Sequence, residues 1–569
     1  MKCGKKLSLE DCEIQNLKLA IKTIEEIEGR KLVTEPLIIR IVSVIEAFLR
    51  NKRLVCYGGT AINNILPLEA QFYDRNTDIP DYDFFSPTAM EDARLLANIY
   101  HALGFNRVEA KAGVHFGTYK VYVNFIPIAD ITQVEPRLFS AIWKHSLKVD
   151  EIHYADPNYL RMAMYLELSR PRGDISRWEK VYKRLVLLNR YYPLVVDGRA
   201  VSAKVGAEDR ENHSVNSVDS VDRQKTEQAC ANIAVQREFD LPTDAIPETD
   251  REKERTPAEI REQLYTLLKR IIVDYELVFF GAYATALYRH KEDASTHSVT
   301  KTPDFDVLSL SPETTAQLIR DRLTDAGYRE VRLKKQNEIG EIIAPHVIVS
   351  VGGHPVITIY EPLACHSYNE VSVGKQTLRI ASIDTIMSFY LAFLYADRKY
   401  YDTKRILCMA AMLFAIQDER RGDESGVLHR FSTECYGEQK RLADILAEKQ
   451  AKFLQLRGDP ASTEYQRWFL KYNPADALPP ADIEVVANAD IVSTIRRIIA
   501  QDKATRQSVS LSTSARSKTL KKHRKHPPSH SPRSRRTHSV MRPRSKTQKQ
   551  NNRTSSKQGT LKRDGSARL

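Results

Sequence analysis

Leu54-Val55-Cys56-Tyr57-Gly58-Gly59-Thr60-Ala61, followed by Pro80-Asp81-Tyr82-Asp83-Phe84-Phe85-Ser86, is the stretch that decides the fold. The first segment is a short apolar strand that turns through two glycines into a helix. The second is a strand, and because alternate strand residues share a face, Asp81 and Asp83 point the same way. Neighbouring carboxylates repel and are costly to desolvate, so a fold that keeps them there has a cation to put between them. A third carboxylate, Asp130, follows in the strand-like Phe125-Ile126-Pro127-Ile128-Ala129-Asp130-Ile131, and three oxygen ligands suit magnesium. Alone, Gly-Gly is ordinarily a turn and Asp-x-Asp a solvated strand edge. Their combination, with the acids flanked by the apolar Phe84 and Phe85, marks a site.

The pattern recurs in the second half of the chain. Leu277-Val278-Phe279-Phe280-Gly281-Ala282-Tyr283-Ala284 aligns without a gap on Leu54 onward, and Pro303-Asp304-Phe305-Asp306-Val307-Leu308-Ser309 aligns on Pro80 onward. The glycine-to-aspartate separation is equal in the two copies, which speaks against chance. The second copy departs where chemistry would matter. Pro355-Val356-Ile357-Thr358-Ile359 puts Thr358 at the place of Asp130, and Ala282-Tyr283 replaces Gly59-Thr60. A tyrosine ring there is expected to block the approach of a phosphate, so the second copy is read as degenerate and structural. Lys120 and His115, on the strand before Asp130, correspond to Ile348 and Ile343. They are read as an exposed lysine and a turn histidine and are left out of the site.

At 569 residues the chain is too long for one core. Its apolar runs, such as 406–416, are too short to span a bilayer, and residues 1–6 lack a signal peptide's apolar segment, so neither a membrane nor secretion is expected. Seven cysteines, with no Cys-x-x-Cys, argue for a reducing compartment and are read as buried thiols. The formal charge of +13 divides unevenly. From Arg506 on, nineteen Lys and Arg face one acid, Asp564; that surplus of +18 leaves −5 for the rest.

Glycine turn, Asp-x-Asp and later Asp together resemble the DNA polymerase β-like nucleotidyltransferase superfamily. More narrowly, Val55 to Asn63, Asp81 to Phe85 and Gly117-Thr118-Tyr119-Lys120-Val121-Tyr122-Val123-Asn124-Phe125 are similar to the poly(A) polymerase catalytic subunits of large DNA viruses, of poxvirus and mimivirus type. The resemblance implies an α/β (α+β) fold of two tandem nucleotidyltransferase-like domains, each a small mixed sheet flanked by helices with a helical subdomain. It implies AMP addition from ATP to RNA 3′ ends, two Mg2+ or Mn2+ ions on Asp81, Asp83 and Asp130, and a triphosphate on Gly58, Gly59 and Thr60. It also implies action as a homodimer or with an accessory subunit, in the host cytoplasm or virion. Two alternatives stay open: another RNA or small-molecule nucleotidyltransferase, and a non-catalytic RNA-binding scaffold, against which the intact triad speaks.

In chain order this gives N-terminal helices at 1–52, patterned over 10–28 and 34–51 and packing on the catalytic domain at 53–200. Helical patterns at 138–148, 159–168 and 178–189 form the subdomain of that catalytic unit. A polar linker is expected at 201–255, the degenerate domain at 256–420, a helical region at 421–505, and a disordered basic tail at 506–569. The tail reads as a nucleic-acid-binding arm in preference to a nuclear-import signal. If so, deleting residues 508–569 weakens RNA binding most at low salt and flattens the slope of log affinity against log salt, by about 0.7 for each phosphate that is no longer neutralised. Equal affinity and parallel slopes for the truncated and full chains would give the tail to localisation instead.

Overall fold

The computed structural model describes residues 8–196, 199–201, 230, 239–289, 305–373, 376–398, 400–419, 430–477, 492–494, 496–497 and 500. The tail and Asp304 lie outside the described residues. Two helices lead in, α1 (Leu9–Thr34) and α2 (Pro36–Asn51), parted at Pro36, which takes the first-turn position where its missing N–H costs nothing. α2 gathers Ile38, Ile41, Val44, Ile45, Phe48 and Leu49 into the core. α1 does not pack as expected: Ile14, Leu17, Ile21 and Ile24, which share one face at helical spacing, are exposed.

The first sheet contains β1 (Val55–Tyr57), β2 (Tyr82–Ser86), β3 (Val108–Ala112), β4 (Thr118–Val123), β5 (Ile126–Gln133), β6 (Leu147–Val149) and β7 (Ile152–Tyr154). Its helices are α3 (Gly58–Ile65), α4 (Ala89–Ala102), α5 (Pro136–His145), α6 (Pro157–Leu168) and α7 (Trp178–Tyr191). α5 ends earlier than its apolar spacing predicts, since Asp150 and Glu151 take positive φ and turn the next residues into the hairpin β6–β7. A small hairpin, β8 (Leu194–Val196) with β9 (Arg199–Val201), comes next.

The second sheet is built from β10 (Val278–Phe280), β11 (Phe305–Leu308), β12 (Val331–Gln336), β13 (His346–Val351), β14 (His354–Tyr360), β15 (His366–Val373), β16 (Gln376–Ala381) and β17 (Cys435–Tyr436). β18 (Lys471–Tyr472) returns to the edge of the first sheet. The strand orders are β18-β3-β4-β5-β2-β1-β7-β6 and β12-β13-β14-β11-β10-β16-β15-β17. Seven strands of each sheet thus follow one order, and β1–β2 antiparallel, β2–β5 parallel and β5–β4 antiparallel recur as β10–β11, β11–β14 and β14–β13. The architecture is the mixed α/β arrangement of two nucleotidyltransferase-like sheets.

α6 packs on the helix Ile383–Phe393 of the second half. There Tyr395 donates to the buried Asp156 at 2.6 Å, and the Ser367 N–H donates to the Ser169 carbonyl. Within the expected linker, residues 239–255 lie against the second sheet: Ala245 and Ile246 are buried and Phe239 stacks on His354. Three apolar residues in a polar window suffice to anchor it, and average composition hides them. The cysteines also depart from the thiol reading. Cys230 joins Cys408 and Cys365 joins Cys435, pairs too distant in sequence for spacing to reveal, while Cys56 stays a buried thiol.

The returning segment is tied down by a buried ion pair, Arg430 on Asp384, at 2.9 and 3.1 Å. Asp384 is fully buried. Arg430→Met leaves that carboxylate unpaired and is expected to cost about 3–5 kcal/mol, read as a shift of the chemical-unfolding midpoint. Adding Asp384→Leu should recover much of it. A single variant that unfolds with the parent's midpoint would show that the pair does not hold the segment.

Candidate active site

Each carboxylate sits where a backbone rule puts it. Tyr82 and Phe84 face the core and Asp83 the open side of β2, with Asp81 just before the strand. β2 and β5 run parallel with Asp83 directly beside Asp130, so side chains on neighbouring strands, about 4.8 Å apart, face the same way. Asn124 and Phe125, both at positive φ, close the β4–β5 hairpin and set Lys120 opposite Asp130. The acids feel one another. Burial, then Asp81 and Asp130, pushes the Asp83 carboxyl up to about 7, and burial followed by Asp130 raises Asp81.

At the β1–α3 turn Gly58 has φ +73°, and a Cβ on it would come within 2.5 Å of Asp83 Oδ2. No side chain fits there, so the backbone approaches the carboxylate directly. A Cβ on Gly59 would meet Tyr73 Oη at 2.8 Å and Arg184 Nη1 at 2.9 Å. Thr60 is placed differently from its expected part: it is buried and donates its hydroxyl to the Asp81 carbonyl at 2.6 Å. It fixes where β2 begins, and its oxygen is turned away from the open face.

Two groups escaped the sequence reading. Lys120, read as a bystander, pairs with Asp130 through Nζ and Oδ2. Burial lowers its pKa, but the Asp130 carboxylate reverses that and leaves it raised. Arg177, just before α7, and Lys180 and Arg184 on it recur at helical spacing beside the buried Val181, Leu185 and Leu188. Arg184 donates to Tyr73 Oη at 2.5 Å and lies over the Phe72 ring at 4.8 Å. Arg184, with burial and Arg177 behind it, holds the Lys180 ammonium below its usual range. Arg177 is paired with Glu167 at 3.2 Å. The periodic cations were visible in the sequence, but only the fold shows that Arg184 reaches the glycine turn.

The second sheet keeps the register and not the groups. Asp306 pairs with Thr358 and Thr358 with Ile348, so carboxylate and lysine are both lost. Tyr283 does not obstruct a phosphate turn as expected. Its ring is buried among Tyr265, Phe279 and Phe305.

The fold and this open face define a nucleotidyltransferase-like protein with one complete carboxylate set. Residues 43–174 match the family model described as poly(A) polymerase catalytic subunit, which bears out the resemblance over that segment. A protein of African swine fever virus (strain Badajoz 1971 Vero-adapted), provisionally named a poly(A) polymerase catalytic subunit, is 33% identical over 159 residues, 27% of this chain and 33% of the relative. A protein of the same provisional name from Acanthamoeba polyphaga mimivirus is 35% identical over 159 residues, 27% of this chain and 26% of its own length. The chain thus spans about a third or less of these relatives. The crystal structure of the Megavirus polyadenylate synthase superposes with a TM-score of 0.60 at 18% identity, over 86% of this chain and 91% of that one, a likeness of fold.

The donor set fits a hard cation: oxygen atoms only, mutually repelling, on an open face beside a helix N-terminus. Among the described residues no three or more His, Cys, Asp or Glu close into a metal cage. Water and substrate oxygens would have to complete the coordination, as magnesium sites ordinarily require. A carboxyl whose folded pKa lies above its unfolded value keeps its proton longer when folded. Metal-free stability therefore falls as pH rises from about 4 towards 7. In chelator, thermal unfolding should show this fall for the parent and a flatter profile for Asp83→Asn, while Mg2+ or Mn2+ at pH 8 raises the midpoint of the parent alone. Equal profiles for both proteins would remove Asp83 from the cation site.

Proposed function

We propose that this chain is a template-independent polynucleotide adenylyltransferase that adds AMP from ATP to RNA 3′ ends. The observation that carries the reading is the pairing of Asp83 with Asp130, beside Asp81 and the Gly58–Gly59 turn, in the first sheet and not in the second. In the reaction the RNA 3′ oxygen bonds to the α-phosphorus of ATP, the bond to pyrophosphate breaks, and the hydroxyl proton goes to solvent. Asp81, Asp83 and Asp130 would hold two Mg2+ or Mn2+ ions, which when bound supply charge stabilisation for entering and leaving oxygens. Gly58 and Gly59 present backbone N–H groups at the α3 N-terminus to the triphosphate. Arg184, beside Gly59, and Lys180, one helical turn before it, would orient the phosphates. Asp130 faces the RNA end.

The choice of ATP rests on the family resemblance, and "catalytic subunit" in the relatives' names suggests an accessory polypeptide beside RNA and ATP. No helix among the described residues is long and apolar enough to cross a membrane. We place the enzyme in the host cytoplasm or virion, since the matched relatives belong to large DNA viruses.

Primer extension with each of the four ribonucleotides tests the reading. Extension by ATP alone is expected. A folded Asp83→Asn variant should lose addition by orders of magnitude, and Arg184→Gln should raise KM for ATP about tenfold or more. Asp306→Asn should leave the rate within about twofold. Near-normal extension by Asp83→Asn would sink the assignment, and use of another nucleotide would point to a different member of the superfamily.

A further inference from the structure

The strand registers place a single row of charged residues across the first sheet. Asp83 pairs with Asp130, Asp130 with Lys120, Lys120 with Lys111, and Lys111 with Lys471 on β18. Directly paired residues project from the same side of a sheet. That side is the open one, because the residues between them, Tyr119, Val121, Ala110 and Ala129, are buried, and Tyr472 beside Lys471 reaches Asn98 on α4 behind the sheet. Three lysines therefore step outward from the carboxylates, strand by strand, over about 14 Å. Like charges directly opposite across strands are destabilising, so a merely solvated face would be expected to alternate signs here. Edge strands often carry lysine to prevent sheet-to-sheet pairing; that accounts for Lys471 but not for Lys111 and Lys120 on interior strands. Lys111 does touch Glu109 at 3.1 Å and lies over the Tyr122 ring at 4.1 Å, but both members of that ion pair are partly exposed and easily screened.

We propose that this lysine row is the track of the RNA primer strand, holding the phosphates that precede its 3′ end. The inference rests on the function proposed above and supplies what it lacks, the path of the nucleic acid. The geometry also divides the site. The glycine turn, Arg184 and Lys180 lie on the β1 side of the carboxylates and serve the nucleotide, while the lysines lie on the β5 side, next to Asp130, and serve the primer. The row is long enough for about three or four phosphates of a stacked strand. Beside it, the β3–β4 hairpin carries Phe116, 53% exposed, whose ring meets Trp468 at 4.3 Å, with Lys452 over the Trp468 ring. Positive charge next to an exposed aromatic is the combination that grips single strands without reading sequence. In the second sheet the corresponding positions are Thr358, Ile348 and Lys334, and the row is broken.

The test is binding of a short oligoadenylate to the full chain across a salt series, with KM for ATP measured in parallel. Lys111→Gln with Lys471→Gln should weaken binding about tenfold at low salt and reduce the log–log salt slope by about 1.4, two phosphates at about 0.7 each. KM for ATP should be unchanged, and the double Lys→Arg variant should bind as the parent. Phe116→Ala should weaken binding to the same degree at every salt concentration; no loss would remove the aromatic from the track. If the double Gln variant keeps the parent's affinity and slope while the parent extends RNA, the track is wrong and the function stands. A parent chain that neither binds nor extends RNA would overturn the function itself.

Discussion

The parallel pairing of β2 with β5 is the constraint on which the rest depends. It sets Asp83 against Asp130 with Asp81 close by, a grouping that opposes folding until a cation answers it. The sheet can hold it because every neighbour on the other face is committed to packing: Tyr82, Phe84, Ala129 and Ile131 are buried. Gly58 then brings backbone to the carboxylate where any side chain would collide. Thr60, tied to the Asp81 carbonyl, keeps turn and strand in step. Lys120 supplies a positive charge at Asp130, so the same lysine eases the repulsion and opens the outward row of cations.

The three carboxylates and the tandem repeat were legible because both rest on spacing: a period of two places Asp81 and Asp83 on one face, and equal glycine-to-aspartate distances expose the duplication. What spacing cannot give is direction across strands. Thr60 belongs to the glycine motif, but only the turn of α3 decides whether its hydroxyl meets a phosphate or a carbonyl. Tyr283 is bulky in any alignment, yet the rings of Phe279 and Phe305 draw it into the core. Lys120 looked like an ordinary exposed residue until the β4–β5 register set it on Asp130. Arg184 lies more than a hundred residues from the turn it reaches, and Lys471 more than three hundred from Lys111. Such neighbours are products of topology.

The degenerate half keeps the strand order and abandons the chemistry, which separates the two demands on the fold. Its apolar strands are as fully buried as those of the first sheet, with Val278, Phe279, Phe280, Phe305 and Ile357 shielded from solvent. Its helix Ile383–Phe393 is buried along its whole length and provides the surface against which α6 packs. With Thr358 beside Asp306, the second sheet is free of the paired carboxylates that the first must hold. The copy therefore persists as a buttress: without it, the apolar side of α6 and the ring of Tyr159, which meets Tyr395 at 5.1 Å, would face water.

β18 gives this arrangement an order in time. Residues 471–472 complete the edge of a sheet whose other strands lie between residues 55 and 154. During synthesis that sheet waits for more than three hundred further residues to leave the ribosome, roughly half a minute at about 10 residues per second. Until then β3 is an open edge able to pair with another nascent chain, and the outermost lysine is missing from the face that meets the carboxylates. The first half is thus not a module that could be cut free and kept whole. Its sheet is closed only by residues 471–472, which ties completion of the carboxylate-bearing face to synthesis of most of the polypeptide.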